Sequence, residues 1–368
     1  HVMSGVMLFR SPNASGSFEG PTSFTSRSAL CAISSAVGAS LAGARAIAHI
    51  SSSELDGASA ILRAAALSGA AGGLVIAVDC AGDADSGAVR NAADIAVMPV
   101  LNPPSTSSYS VYINSAFELS ETHGSPIMVE LRREHTTKLE AAERELIHYH
   151  KAPERYVLDP ENRDARAKLL KERMTSILNA LEESELAFRK HTPRNGVKIA
   201  SGQRSLCVGC PYRGVFFVLS KLWLRAISDS GCTRLGGQPP LLALDAALCR
   251  GSSPSVLRGF LLARGEKARH DTVGIIDLSG LKYGGLDGML ELADDGLAAT
   301  VIVLDNRTKF YDAKKALEGL NIDHFSSVEA FDVDALESAL KVTLPSNGLS
   351  VIVSSGPCAR VHSLKQEY

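Results

Sequence analysis

The chain has 368 residues and a formal net charge of −2; that length supports two domains of ordinary size, and Lys and Arg dispersed along it exclude a dedicated nucleic-acid surface. Its longest apolar stretches, residues 73–78 and 298–304, have strand length and exclude a membrane-spanning helix. Seven cysteines at scattered spacings exclude a secreted disulfide framework, so a reducing cytoplasm is the expected compartment.

The N-terminal "HVMSGVMLFRSPNASG" lacks the basic and apolar regions of a secretory signal. The segment "SALCAISSAVGASLAGARAIAHI" then reads as a small-residue helix running into a strand, its Gly and Ala positions permitting close backbone approach. Residues 72–79 ("GGLVIAVD"), 94–101 ("DIAVMPVL") and 126–133 ("PIMVELRR") read as buried strands. Between the last two, Val111, Ile113, Ala116, Phe117 and Leu119 fall at helical spacing before Gly124, a C-terminal cap.

From residue 140 to 195 the composition turns charged. Leu170, Met174, Ile177, Leu178 and Leu181 share one face of an amphipathic helix, expected as a connector between domains. The second half repeats the strand and helix alternation: "TVGIIDLSG", "AATVIVLDN" and "GLSVIVSSG" read as strands, "GVFFVLSKLWL", "LDGMLELADD" and "VDALESALKV" as helices. Two α/β domains of similar kind, built from parallel βαβ units, are predicted.

Chemistry concentrates in "SLCVGCPYRGV". A zinc reading of Cys207 and Cys210 needs two more ligands, yet no second C-x-x-C exists, and His148 and His150 fall on a predicted helix far upstream. A dithiol redox pair fits a helix starting just after it, where the helix dipole lowers a thiol pKa. Two small residues on a tight loop is the third reading. Farther on, "LDN" after a strand reads by itself as a turn.

The order of segments carries a further signal. "LCVGCPYRG", "DSGCTRLGGQPPLLALDAALCRGSS", "VGIIDLSGLKYGGLDGML", "VIVLDNRTKF" and "VIVSSGPCA" resemble the thiamine-diphosphate-binding domain of the indolepyruvate:ferredoxin oxidoreductase alpha subunit. That family shows a CPGCPHR loop, a GCY-LG-PP-L run ending in C-x-G-A-S, a GDS-type metal motif, LDNRT and a closing PCA. In the first half, "AVGASLAGARA", "GGLVIAVD" and "AFELSETHGSPIMVELRR" resemble its pyrimidine-binding domain, and "KAPERYVLDPENRDARAKLLKERM" its linker. The resemblance implies two thiamin-diphosphate-binding-fold domains, at residues 1–136 (pyrimidine-binding) and 203–368 (diphosphate-binding), joined by a helical linker at 137–202.

It also implies a thiamine-diphosphate-dependent 2-oxoacid oxidoreductase or decarboxylase subunit of the indolepyruvate type. Its cofactor contacts would be Cys207, Gly209, Cys210, Arg213, Gly231, Cys232, Gly251, Ser252, Ser253 and Asn306, with Mg2+ held by Asp277, Asn306 and the Thr308 carbonyl. The resemblance thus implies an oxygen ligand for a cation at Asn306, and backbone N–H groups for an anion at Gly251, Ser252 and Ser253. Several positions depart from the pattern. Ungapped counting places the family's metal-binding Asp at Leu278, leaving Asp277 beside it, and its cofactor-activating Glu at Ala29. Tyr212 stands where the family has His. After "GVKIASG" the family's middle domain is missing, and no run of four closely spaced cysteines follows. The expectation is therefore no iron–sulfur cluster on this chain, a homodimer or a partner subunit carrying electron transfer, and a non-catalytic structural or regulatory subunit as the alternative.

Overall fold

The computed structural model describes residues 5–132, 135–139, 146–158, 162–189, 205–307 and 313–361. Among these, residues up to 150, together with 162–189 and 262–264, form one compact unit; 151–158 and the rest from 205 onward form a second.

The first unit holds β1 (Met7–Arg10), β2 (Ser17–Glu19), β3 (Thr22–Thr25), β4 (Ala46–Ser51), β5 (Leu74–Cys80), β6 (Val100–Leu101), β7 (Ile127–Arg132) and β8 (Thr136–Lys138). Six of these make a parallel sheet in the order β3-β1-β4-β5-β7-β6, while β2 and β8 pair as a separate parallel ribbon. The second unit holds β9 (Arg225–Ser228), β10 (Ala246–Ala247), β11 (Thr272–Asp277), β12 (Ala299–Asp305), β13 (His324–Glu329) and β14 (Leu349–Ser355), again all parallel, in the order β10-β9-β11-β12-β14-β13. Ranked by position in the chain, both sheets read second, first, third, fourth, sixth, fifth. The expectation of two similar α/β units holds at the level of topology.

Central strands are legible because a parallel sheet is covered on both faces, so its strands read as unbroken apolar runs. Every residue of β4 and β5 is buried, as are all but the last of β11, β12 and β14. Four helices of the first unit are α1 (Ala29–Leu41), α2 (Leu55–Ser68), α3 (Asp83–Ala96) and α4 (Tyr109–His123). In α1 every residue but Leu30 is buried; its Ala, Ser and Gly positions let the helix lie close on the sheet, and the Ser28 hydroxyl accepts the Cys31 N–H at its start. Gly124 closes α4 in the left-handed conformation, as the sequence predicts.

Three expectations change. Residues 94–96 belong to the end of α3, not to a strand, because Val89, Ala92, Ala93 and Ala96 continue a buried helical face, and Val97 caps it with φ 59°; only Val100–Leu101 is strand. The amphipathic helix, Arg163–Glu182, puts Ile177 and Leu181 into the first unit's core beside Tyr112, Ile113 and Phe117 of α4, so its apolar face is used within that unit. His148 and His150 lie on irregular backbone, with ring centroids 4.8 Å apart. No helix among the described residues is long and apolar enough to cross a membrane.

Candidate functional site

Parallel strands all end at the same edge of a sheet, and loops leaving that edge are where open α/β folds bind ligands. In the second unit the loops after β9, β10, β12 and β14 carry, in turn, Gly231 and Cys232, Gly251 to Ser253, Asn306 and Cys358, and Asp277 is the last residue of β11. The loop before helix Tyr212–Lys221 brings Cys207 and Cys210 to that place. Cys207, Cys210, Cys232, Cys358, Tyr212 and Asn306 line one small cavity of about 80 Å³.

Within that loop the Cys210 N–H donates to the Cys207 carbonyl at 3.1 Å, forming a tight turn with Gly209 at φ +71°. Arg213, expected as a cofactor contact, turns back onto the loop: its guanidinium donates to the carbonyls of Cys207 (2.8 Å) and Leu206. It shapes the turn. Burial pushes the Cys210 thiol up to about 11 and raises Cys232 as well, which keeps both as thiols. Tyr212 is buried, which raises its phenol far above neutrality, so it fills space where the family's His would titrate.

Two expected cation ligands lie at the ends of neighbouring strands. Asp277 ends β11 and Asn306 follows β12, its hydrogen-bonded neighbour. One Asp277 oxygen, Oδ1, caps the next turn by accepting from Ser279 Oγ (2.6 Å) and Gly280 N–H (2.7 Å). The Asn306 carbonyl accepts from the Cys358 N–H at 3.0 Å, tying the end of the β12 loop to the loop after β14. Leu278 is buried at the start of a short turn of helix and offers no ligand. Thr308 lies outside the described residues.

The expected anion cradle is different from its sequence reading. A fully buried carboxylate, Asp229, accepts the N–H groups of Gly251 (2.6 Å) and Ser253 (2.8 Å), the two donors assigned above to phosphate. Ser253 Oγ donates to the Ile275 carbonyl and Ser252 Oγ to that of Cys249, so these hydroxyls serve the loop. Burial, with Asp277 nearby, pushes Asp229 up to about 7 despite the two amides. Asp229 escaped the sequence reading, although a carboxylate immediately after an apolar strand was its signal. A diphosphate finds these amides already in use.

Four cysteines also went unrecognised as a set, because their positions span three separated segments. Cys207, Cys210, Cys232 and Cys358, from three separated segments, line one cavity. Among the described residues no three of them approach within the 4.8 Å that a single ion's ligands require.

In the first unit, Ala29 opens α1 as a buried residue between Ser28 and Leu30, and no carboxylate stands at that position. A second cavity, about 730 Å³, lies at the strand ends of this unit. Its wall includes Glu130, which Arg189 holds at 2.7 Å.

Solved structures share this architecture across nearly the whole chain. A thiamine diphosphate-dependent 4-hydroxybenzoylformate decarboxylase from Rhodococcus jostii superposes with a TM-score of 0.59 at 11% identity, covering 96% of each chain. A benzoylformate decarboxylase from Polynucleobacter necessarius gives 0.58 at 10%, covering 95% of this chain and 96% of that one. The chain thus has the fold of thiamine diphosphate-dependent enzymes. No family model matches it. Among curated proteins it is similar to indolepyruvate oxidoreductase subunit IorA of Pyrococcus horikoshii, 28% identical over 198 residues, and to that of Archaeoglobus fulgidus, 24% identical over 203 residues. This similarity agrees with the resemblance that its motifs carry. These matches cover 44% and 48% of this chain and 31% of each relative's length.

Proposed function

We propose that this chain is a cofactor-holding subunit of a 2-oxoacid oxidoreductase of the IorA type. It takes the metal-bound diphosphate of thiamine diphosphate, with Mg2+, at the strand-end edge of the second unit. One observation carries this reading: Asp277 and Asn306 stand at the ends of neighbouring strands beside the cavity that the cysteine loops enclose. Both offer the oxygen donors a hard divalent cation prefers. When bound, the cofactor supplies the carbanion that attacks a 2-oxo group. Buried Tyr212 and Leu206 keep water from the adjoining cavity.

In the same reading residues 1–136 form a pyrimidine-binding domain and 203–368 the diphosphate-binding domain, and the substrate is an indolepyruvate-type 2-oxoacid. Setting is cytoplasmic. Since Ala29 supplies no proton relay, and a homodimer mate carries the same alanine, the activating carboxylate comes from a partner subunit of different sequence. In the same reading this chain carries no iron–sulfur cluster, and a partner subunit carries electron transfer.

A non-catalytic structural or regulatory subunit is the second reading. It is favoured by Ala29 and by the two loop amides already bonded to Asp229. Carbon dioxide release from indolepyruvate, measured with thiamine diphosphate and Mg2+ present, separates the two. Ala29→Glu is expected to raise release at least tenfold over the unmodified chain if the pocket is competent; no gain in turnover or in cofactor affinity supports the scaffold reading.

A further inference from the structure

A polar cluster lies inside the first unit, where nothing in the reading above uses it. His49 in β4 and Asp79 in β5 point to the same face of the sheet, because His49 pairs in register with Ala77 and Asp79 stands two residues farther along. His135, just before β8, meets them there. All three side chains are fully buried. The His49 Nε2 lies 2.8 Å and the His135 Nε2 3.3 Å from the same oxygen, Asp79 Oδ1.

The surroundings hold these groups in fixed orientations. Asp79 Oδ2 accepts the N–H groups of Ser15 (2.6 Å) and Gly16 (2.9 Å) and faces Ser15 Oγ at 3.3 Å, so Oδ1 is left aimed at the two imidazoles. His135 Nδ1 meets Thr137 Oγ1 at 3.0 Å. Phe18 stands edge-on to both imidazoles and Tyr109 edge-on to His135. Gly16 is required by close approach: a Cβ there would fall 2.1 Å from the His135 Nε2.

We propose that His49, Asp79 and His135 are the protein ligands of one buried divalent transition-metal ion of the zinc class. Two imidazoles and a carboxylate are the donor set such ions prefer. Their three ligand atoms lie within 4.8 Å of one another, in the one such group found among the described residues. At ligand bonds of about 2.1 Å, separations of 2.8 and 3.3 Å subtend roughly 85° and 105° at a shared ion, the range of octahedral and tetrahedral sites. Amides on the far carboxylate oxygen and the Thr137 hydroxyl on His135 supply the outer hydrogen bonds that orient metal ligands. Binding through Nε2 requires each imidazole to hold its single proton on Nδ1: a neutral ring moves the proton there from Nε2, and a doubly protonated ring releases its Nε2 proton to solvent. His49 Nδ1 has no partner in the structure; as the metal-bound tautomer it carries a proton, and a buried water is the acceptor the site requires.

With no side-chain exposure the ion has a structural task. It fastens the β2–β8 ribbon, through His135 and the Ser15–Gly16 amides, to the strand ends of the main sheet. The test uses the full chain as Cys207→Ser/Cys210→Ser, which removes soft-metal binding by the thiol loop. After equilibration with Zn2+ and gel filtration, one equivalent is expected to stay bound, and Co2+ in its place is expected to give visible d–d absorption. His49→Gln and His135→Gln, each confirmed folded by circular dichroism, are expected to lose that equivalent and its spectrum. If the parent double variant retains no Zn2+ and shows no Co2+ band, or if the bound metal is indifferent to both substitutions, the proposal fails and the cluster is an internally hydrogen-bonded triad only.

Discussion

Replacing Arg258 with alanine is expected to lower the unfolding free energy by about 3–5 kcal/mol. Arg258 is fully buried in helix Ser253–Arg264. Its Nη1 donates to Glu291 at 2.9 Å and its Nε to Asp295 at 2.6 Å, both at the end of helix Leu286–Asp294. Glu291 is itself buried, so removing the guanidinium strands an anion away from water. A buried pair is costly to break and cheap to replace whole. Arg258→Met with Glu291→Leu should therefore recover most of the loss. Urea unfolding at pH 7 reads both; a single-variant loss below about 1 kcal/mol would contradict the stated role. The helix concerned begins at Ser253, so this anchor also holds the Gly251–Ser253 loop at the site.

Asp229→Ala should cost about 2–5 kcal/mol, since it leaves the Gly251 and Ser253 N–H groups buried without an acceptor. The pH dependence has a definite sign. A carboxyl near 3.9 in the unfolded chain and near 7 in the folded one binds more protons when folded. Its contribution is thus most favourable below pH 4 and is lost as pH rises to 7, with a slope of up to about 1.4 kcal/mol per pH unit. Asp229→Asn removes this slope, so the stability difference between wild type and Asp229→Asn should shift in favour of Asn between pH 5 and pH 8. A difference that stays flat across that interval, measured by urea unfolding, would show that Asp229 does not titrate there.

The sequence exposed the sheets where burial on both faces makes strands continuous in apolar residues, as in β5, β12 and β14. It hid β13, whose residues "HFSSVE" lie at an edge with mostly exposed or half-buried side chains, and it hid two-residue β10, too short for any pattern. Site residues follow a similar logic. Cys207, Cys210, Cys232 and Asn306 were legible because each sits in a short loop motif, and the fold brings these motifs to one edge. Donors were not. Which carboxylate takes the Gly251 and Ser253 amides depends on the crossing of two loops, and Asp229 is 22 residues from the first of them. His49, Asp79 and His135 were invisible for a related reason: each is a lone titratable group in or beside a strand, and only strand register joins them. A polar residue inside "AIAHIS" or "LVIAVDC" was the available signal, because buried charge seldom stands unpartnered.

Asp277 and Asn306 also set the most direct test of the central claim. Isothermal titration of the full chain with thiamine diphosphate is expected to show saturable binding with Mg2+ present and none with EDTA. Asp277→Ala should weaken it at least tenfold, while Asp277→Asn, which keeps an acceptor for the Gly280 amide, should separate loss of the cation ligand from loss of the turn. Absence of binding by the wild-type chain at millimolar cofactor and Mg2+, with the chain folded, would contradict the account.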